Sequence, residues 1–420
     1  MIKNKFTYLL LLAVILSLIV GLYLGEDSLG SGRHDYTHHL VFLNGFSENF
    51  LETYKSFGTI DGNKVRNSPI FYMLFSIFLK IGLPIGALKI INLIILIPLL
   101  IFFIKCLEIK FPKVDTEPKI YLLSALLLSP TIRTLLVWPY PLLWAICFFI
   151  ISIYFFLIFE KAKNSDKKII FAYANIFFLS LSTYFTPKFG VFSLFFFYNF
   201  FQYFRFKKET FKIILLNILL ATPAIYFLIT KDFYLFTSEP FNVDISAKYN
   251  FSNKIIIISS MFFLFFLPFI SRENFLSNRR SFFKIDYIFF TLIFFIAVNI
   301  FFYDFFNRVG SGGGIFFHLS HILFKNSSLL FAVFITSLFL FKYLGLLNFN
   351  NIFLFMLLAL YNLEYTIYYK YFDPLIIFLL LFLIRYKENN FINIKKYSKK
   401  CFLFYLFFLT INFSKQFLTY

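Results

Sequence analysis

The chain has 420 residues, 60% of them hydrophobic and only 15% charged, with a mean hydropathy of +0.78. That balance excludes a soluble globular enzyme and points to a protein built for lipid. Its formal charge of +19 invites a nucleic-acid reading, but no basic stripe with an aromatic platform occurs to support one. The 71 phenylalanines, set against two tryptophans amid abundant Ile, Lys and Asn, reflect AT-rich coding more than function.

In chain order, the first apolar run, "FTYLLLLAVILSLIVGLYLG", follows Lys3 and Lys5. It is longer than a signal-peptide core and no A-x-A-like site follows, so it reads as a retained span entering from the cytoplasm. Residues 25–68 then form the longest polar insert, expected to be a first outer loop carrying short interfacial helices. Residues 69–104 read as a re-entrant piece (69–83) plus one crossing. Residues 105–420 supply the remaining helical bundle, with apolar runs near 120–136, 140–159, 169–186, 188–204, 212–230, 254–270, 286–303, 327–341, 350–367, 374–385 and 401–414. The expectation is an all-α polytopic bundle of about 12–13 spans forming one integral-membrane domain over 1–420, because backbone groups in lipid must pair within their own segment. Cys106, Cys147 and Cys401 lie near or within apolar runs without CxxC spacing and read as core residues.

One alternating topology tests the orientation. With a single net crossing over 69–104, the segments "KCLEIKFPKVDTEPK", "EKAKNSDKK", "FRFKKETFK", "SRENFLSNRRSFFKID" and "RYKENNFINIKKYSKK" all fall on the N-terminal side. Most of the excess positive charge sits there, which is the positive-inside pattern and places the N-terminus in the cytoplasm. All five histidines then fall on the opposite face, His34, His38 and His39 in "GSGRHDYTHHLVFL" and His318 and His321 in "VGSGGGIFFHLSHILF".

That outer face also gathers Asp27, Asp35, Arg33, Arg133, Lys188, Arg308, Glu364, Lys370 and Asp373. Ionisable groups at or inside apolar sequence, such as Arg133, Lys188 and Glu364, cost about 2.5–3.5 kcal/mol on insertion scales and are kept mainly where a partner or wet cavity meets them. Each has a plainer reading as well. Arg133 and Lys188 can snorkel to headgroups, and His38 and His39 can cap an interfacial helix. His34 with His38, and His318 with His321, have spacings that suit a divalent metal on a helix, but no H-E-x-x-H pattern or third ligand accompanies them, so no metal or other cofactor is assigned. "GSGGG" lacks the Lys-Ser/Thr of a P-loop and reads as a stretch where backbone approaches a phosphate, a sugar or another helix closely.

In order, "RHDYTHHLVFLNGF", "NSPIFYMLFSIFLKIG" about thirty residues later, "LLLSPTIRTLLVWPYPLLWAICFFIISIYFF" and "TYFTPKFGVF" resemble the first half of the integral-membrane glycosyltransferases of the GT-C fold. "VGSGGGIFFHLSHILF" and "YYKYFDPLIIFLLL" look like later outer loops of the branch that uses polyprenyl-phosphate sugars. The resemblance implies transfer of a sugar from a polyprenyl-phosphate donor to a glycan or lipid acceptor, with inversion, at the outer face of a bacterial inner membrane. An inverting displacement needs a carboxylate to take the acceptor's proton, and Asp35 stands at the matching place, with Asp27 second. The leaving phosphate needs cations, for which Arg133, Lys188 and Arg308 are the candidates. Arg33, His38, His39, His318, Glu364 and Lys370 would contact sugar or phosphate. A polymerase or ligase acting on lipid-linked oligosaccharides, and a non-catalytic transporter of them, are the competing readings. The first would favour a large outer loop later in the chain, the second mid-span charges and an internal repeat.

Overall fold

The computed structural model describes residues 2–57, 67–231, 251–269, 312–362, 367–386 and 394–418. Every regular element among them is helical. Two compact units divide the chain: Met1–Asn242 with Phe402–Tyr420, and Val243–Cys401.

The first unit opens with α1 (Ile2–Leu24), followed by the short helices α2 (Gly32–Glu48) and α3 (Phe50–Ser56). Asn49 starts α3 by accepting from Glu52 N at 3.3 Å while its amide donates back to the Glu52 carboxylate at 2.8 Å, a reciprocal cap. Next comes α4 (Ile70–Lys80), whose 11 residues span only about 16 Å, half the ~30 Å hydrocarbon thickness. It lies against α2 through Tyr72 and turns at Gly82, where φ is +89°, into α5 (Ile85–Leu93) and α6 (Leu96–Lys110).

Residues 120–136, expected as one span, are broken instead. The helices α7 (Thr116–Leu127) and α8 (Pro130–Val137) meet at 58°. Pro130 has no N–H to continue α7 and its ring excludes the preceding turn, while Ser129 Oγ accepts from Ile132 N at 3.2 Å to start α8. Then follow α9 (Pro141–Lys161), α10 (Ser165–Phe185), a 3-10 turn at Pro187–Val191, α11 (Phe192–Phe204) and α12 (Lys208–Thr230). Polar side chains lock α9 to α10 from within. The Asn175 amide donates to Ser152 O and Oγ, each at 2.8 Å, and Ser182 Oγ donates to Ala145 O at 2.8 Å.

Lys5–Leu24, Ile85–Lys110, α9, α10 and α12 are long and apolar enough to cross a bilayer, and the bent α7–α8 pair makes a sixth span if counted as one. These helices mark the chain as a helical membrane protein.

The second unit contains α13 (Phe251–Phe266), α14 (Gly314–Phe324), α15 (Ser328–Tyr343), α16 (Phe349–Tyr361), the short α17 (Leu375–Phe378) and the start of α18 (Ile394–Leu418), which runs on past the unit boundary. Phe262, Phe341 and Phe355 pack α13, α15 and α16 together with ring centroids 4.7–5.1 Å apart. Asn351 fastens the segment after α17, donating to Arg385 O at 2.8 Å and accepting from Arg385 N at 2.9 Å.

Candidate functional site

One end of the first unit collects Glu26, Asp27, Arg33, Asp35 and Arg133. The helix α1 stops because Gly25 takes the left-handed conformation at φ +67°, and Glu26 N then reaches back to Gly21 O at 2.8 Å. This turn directs the Glu26 carboxylate inward, where α8 presents Arg133. The guanidinium meets it in a bidentate pair, Nε to Oε1 at 2.7 Å and Nη2 to Oε2 at 2.6 Å, and also donates to Ser17 Oγ at 2.9 Å and Ser17 O at 3.0 Å. Ser28 Oγ donates to the same carboxylate, and Trp138 Nε1 donates to Glu26 O at 3.0 Å. A methyl group at Gly21 would overlap Glu26 Oε2, so the glycine makes room for the pair. Arg133 is thus held in the protein interior by α1 and its following turn.

Asp27 caps α2: its Oδ1 accepts from Gly32 N at 2.9 Å and its Oδ2 from Arg33 N at 3.1 Å. The helix then divides its residues by period. Tyr36, His39, Leu43 and Phe46 form the buried stripe, Arg33, His34, Thr37 and His38 face outward, and Asp35 sits half-buried at the border. His34 and His38 approach through their Nε2 atoms at 3.3 Å. His39 is enclosed, its Nδ1 2.5 Å from the Tyr72 hydroxyl and its ring edge-on to Tyr140 at 4.5 Å. Tyr36 lies 5.8 Å from Trp138, and its hydroxyl has no hydrogen-bond partner among the described residues. Burial pushes the Tyr36 phenol up to about 12.

Beside this helix Lys89, on α5, sits with Nζ 3.9 Å from the Trp138 ring centroid, close enough for the Arg33 charge to act on it. Lys89 thus stands over Trp138, within electrostatic reach of Arg33 on the helix that carries the half-buried Asp35. Sequence inspection alone passes over Lys89, although a lysine inside the apolar run after Leu83 was signal enough. It also passes over Glu26, which obeys the boundary-charge argument that singles out Arg133.

Lys188 belongs to the same end. Trp144 stacks on Phe185 at 5.6 Å and meets Phe75 of α4 at 5.6 Å, while its Nε1 donates to Asn92 Oδ1 at 3.0 Å. Asn92 in turn donates to Leu135 O at 2.8 Å, so α4, α5, α8, α9 and the end of α10 are tied together one turn before Lys188, itself half-buried. Asp27, Asp35, Arg33, His38, His39, Arg133 and Lys188 are in this way gathered into one region of the first unit.

The remaining candidates fall in the second unit. His318 is half-buried on α14, which Gly312, Gly313 and Gly314 enter with φ of +71°, +86° and +78°. Only glycine takes such a run without strain, and it allows Gly313 N to donate to Ile367 O at 2.9 Å. Lys370 lies in the 3-10 turn Tyr369–Tyr371, its Nζ 5.6 Å from the rings of both Tyr368 and Tyr371. Arg308 and Glu364 lie outside the described residues. Among the described residues no three or more His, Cys, Asp or Glu side chains converge as a metal-binding group.

Comparison with protein-family models, with curated proteins and with solved structures finds no match.

Proposed function

We propose that this chain is a GT-C-type integral-membrane glycosyltransferase of about 12–13 spans. It transfers a sugar from a polyprenyl-phosphate donor to a hydroxyl of an acceptor glycan or lipid, with inversion, at the non-cytoplasmic face of a bacterial inner membrane. The observation that supports this reading is that Lys89, seated over Trp138, stands within electrostatic reach of Arg33 on the helix that carries Asp35. In the reaction Asp35 takes the acceptor's proton as the acceptor oxygen bonds to the anomeric carbon, and the bond from that carbon to the phosphate oxygen breaks. The polyprenyl phosphate departs with the bonding pair, its charge met by Arg33 and Lys89, with Lys188 as a further cation. Arg133 serves the site by fixing α8 against α1, and Asp27 by starting α2. His38, exposed on α2, remains assigned to substrate contact, whereas His39, expected to join it, is enclosed by Tyr72 and Tyr140 and packs α2 instead.

The test is the surface-glycan profile of a null strain expressing the parent or Asp35→Asn. Glycans one sugar short in the null and in the Asn variant, and complete with the parent, are the expected result. Intact repeat units without a polymer ladder would move the chain to the polymerases, and an unchanged profile would remove catalysis from the reading.

A further inference from the structure

A second polar site lies where α9 ends and α10 begins. There an open groove of about 500 Å³ is lined by Lys161, Lys163 and Lys167 over an apolar wall of Ile109, Ile158 and Phe171. No acidic residue lines it; Glu160 and Asp166 flank the lysines in sequence but stand outside the lining. One cation and the turn that bears the other two are fixed in place. Lys161 donates to the Ile109 carbonyl at the end of α6, and Asn164 Oδ1 accepts from Asp166 N at 2.7 Å, which sets the turn carrying Lys163 and Lys167. The neighbouring Lys168 is used differently: it is buried, with Nζ 3.9 Å from the Tyr203 ring. Since α9 and α10 each qualify as membrane spans, their shared turn lies at headgroup depth, and Ile158 and Phe171 lie one turn further into the hydrocarbon.

We propose that this groove is a binding site for an anionic phospholipid, its phosphate held by Lys161, Lys163 and Lys167 and the top of one acyl chain laid on Ile158 and Phe171. A soluble anion would use the lysines but gain nothing from the apolar wall, whereas a zwitterionic lipid would gain the wall and bring its own cation among three others. The site rests on none of the residues assigned to sugar transfer.

The full chain, purified and exchanged into mixed phosphatidylcholine and phosphatidylglycerol, is examined by native mass spectrometry for retained lipid. The parent is compared with K161Q/K163Q/K167Q and with K207Q/K208Q/K212Q, which removes an equal charge from a different turn. Phosphatidylglycerol retained by the parent and by the second variant, and weakened about tenfold or more in the first, is the expected result. The single variant K163Q, at an exposed turn position, gives a partial loss and serves if the triple variant does not fold. Equal retention in all proteins overturns the proposal. So does displacement of the lipid by inorganic phosphate, which would make this a site for soluble anions.

Discussion

Glu26 and Arg133, 107 residues apart, form a bidentate ion pair whose side chains are 1% and 5% exposed. Removing one partner leaves the other charge buried alone, so Glu26→Ala or Arg133→Ala is expected to cost about 3–5 kcal/mol. Replacing both with apolar residues of similar volume recovers most of it. Thermal unfolding of the detergent-solubilised single and double variants checks this, and equal losses in all three would show that the pair is not the source.

Gly21→Ala gives an opposite-sign test of the same pair. On an open helix alanine gains up to about 1 kcal/mol over glycine, but here the methyl would meet Glu26 Oε2. The expected outcome is a lower melting temperature, with the loss much smaller when Glu26 is also replaced by alanine.

Under the proposed function Asp35 and Asp27 are expected to respond differently to substitution. Asp35→Asn is expected to lower transfer by about 100-fold or more with little change in stability, the usual scale for a lost general base. Asp27→Ala removes the α2 cap and should cost about 1 kcal/mol of stability, its rate loss following the fraction unfolded. Activity per folded protein distinguishes the two.

Lys89→Met is expected to raise the donor KM more than it changes kcat when donor binding precedes a slow chemical step, because it removes a cation from beside Arg33 and leaves Trp138 in place. An unchanged KM would remove Lys89 from the donor site.

Tyr36→Phe deletes a buried hydroxyl that has no partner among the described residues, so stability should hold or rise, by as much as about 1–3 kcal/mol. Because the folded phenol is raised to about 12 from an ordinary value of 10.0, the neutral form is favoured by folding. Its contribution is fully present below pH 10 and is lost as pH rises through about 12. The parent should therefore lose stability relative to Tyr36→Phe only in that window, as denaturation at stepped pH would show.

The helical class and the membrane setting were legible because apolar runs and basic loops are one-dimensional signals. So was the approach of His34 and His38, whose i, i+4 spacing puts them on one face of a helix, whereas the burial of His39 beside them was not. The interior partners were not legible. Nothing local links Glu26 to Arg133, Tyr72 to His39, or Asn92 to Trp144, because each pair is closed by packing between helices distant in sequence. The break at Ser129–Pro130 was half-visible: proline marks an interruption, but the apolar residues on both sides read equally well as one span.

The reach of the Glu26–Arg133 pair also constrains biogenesis. At about 5–20 residues per second, the ribosome needs on the order of 5–20 s to make the 107 residues that separate the two, and through that interval the Glu26 carboxylate lacks its native Arg133 partner. The first helix can enter the bilayer early, but its lower-energy seat exists only after α8 has emerged. A chain stalled before Arg133 therefore carries Glu26 at its first membrane boundary without the partner that neutralises it in the folded protein.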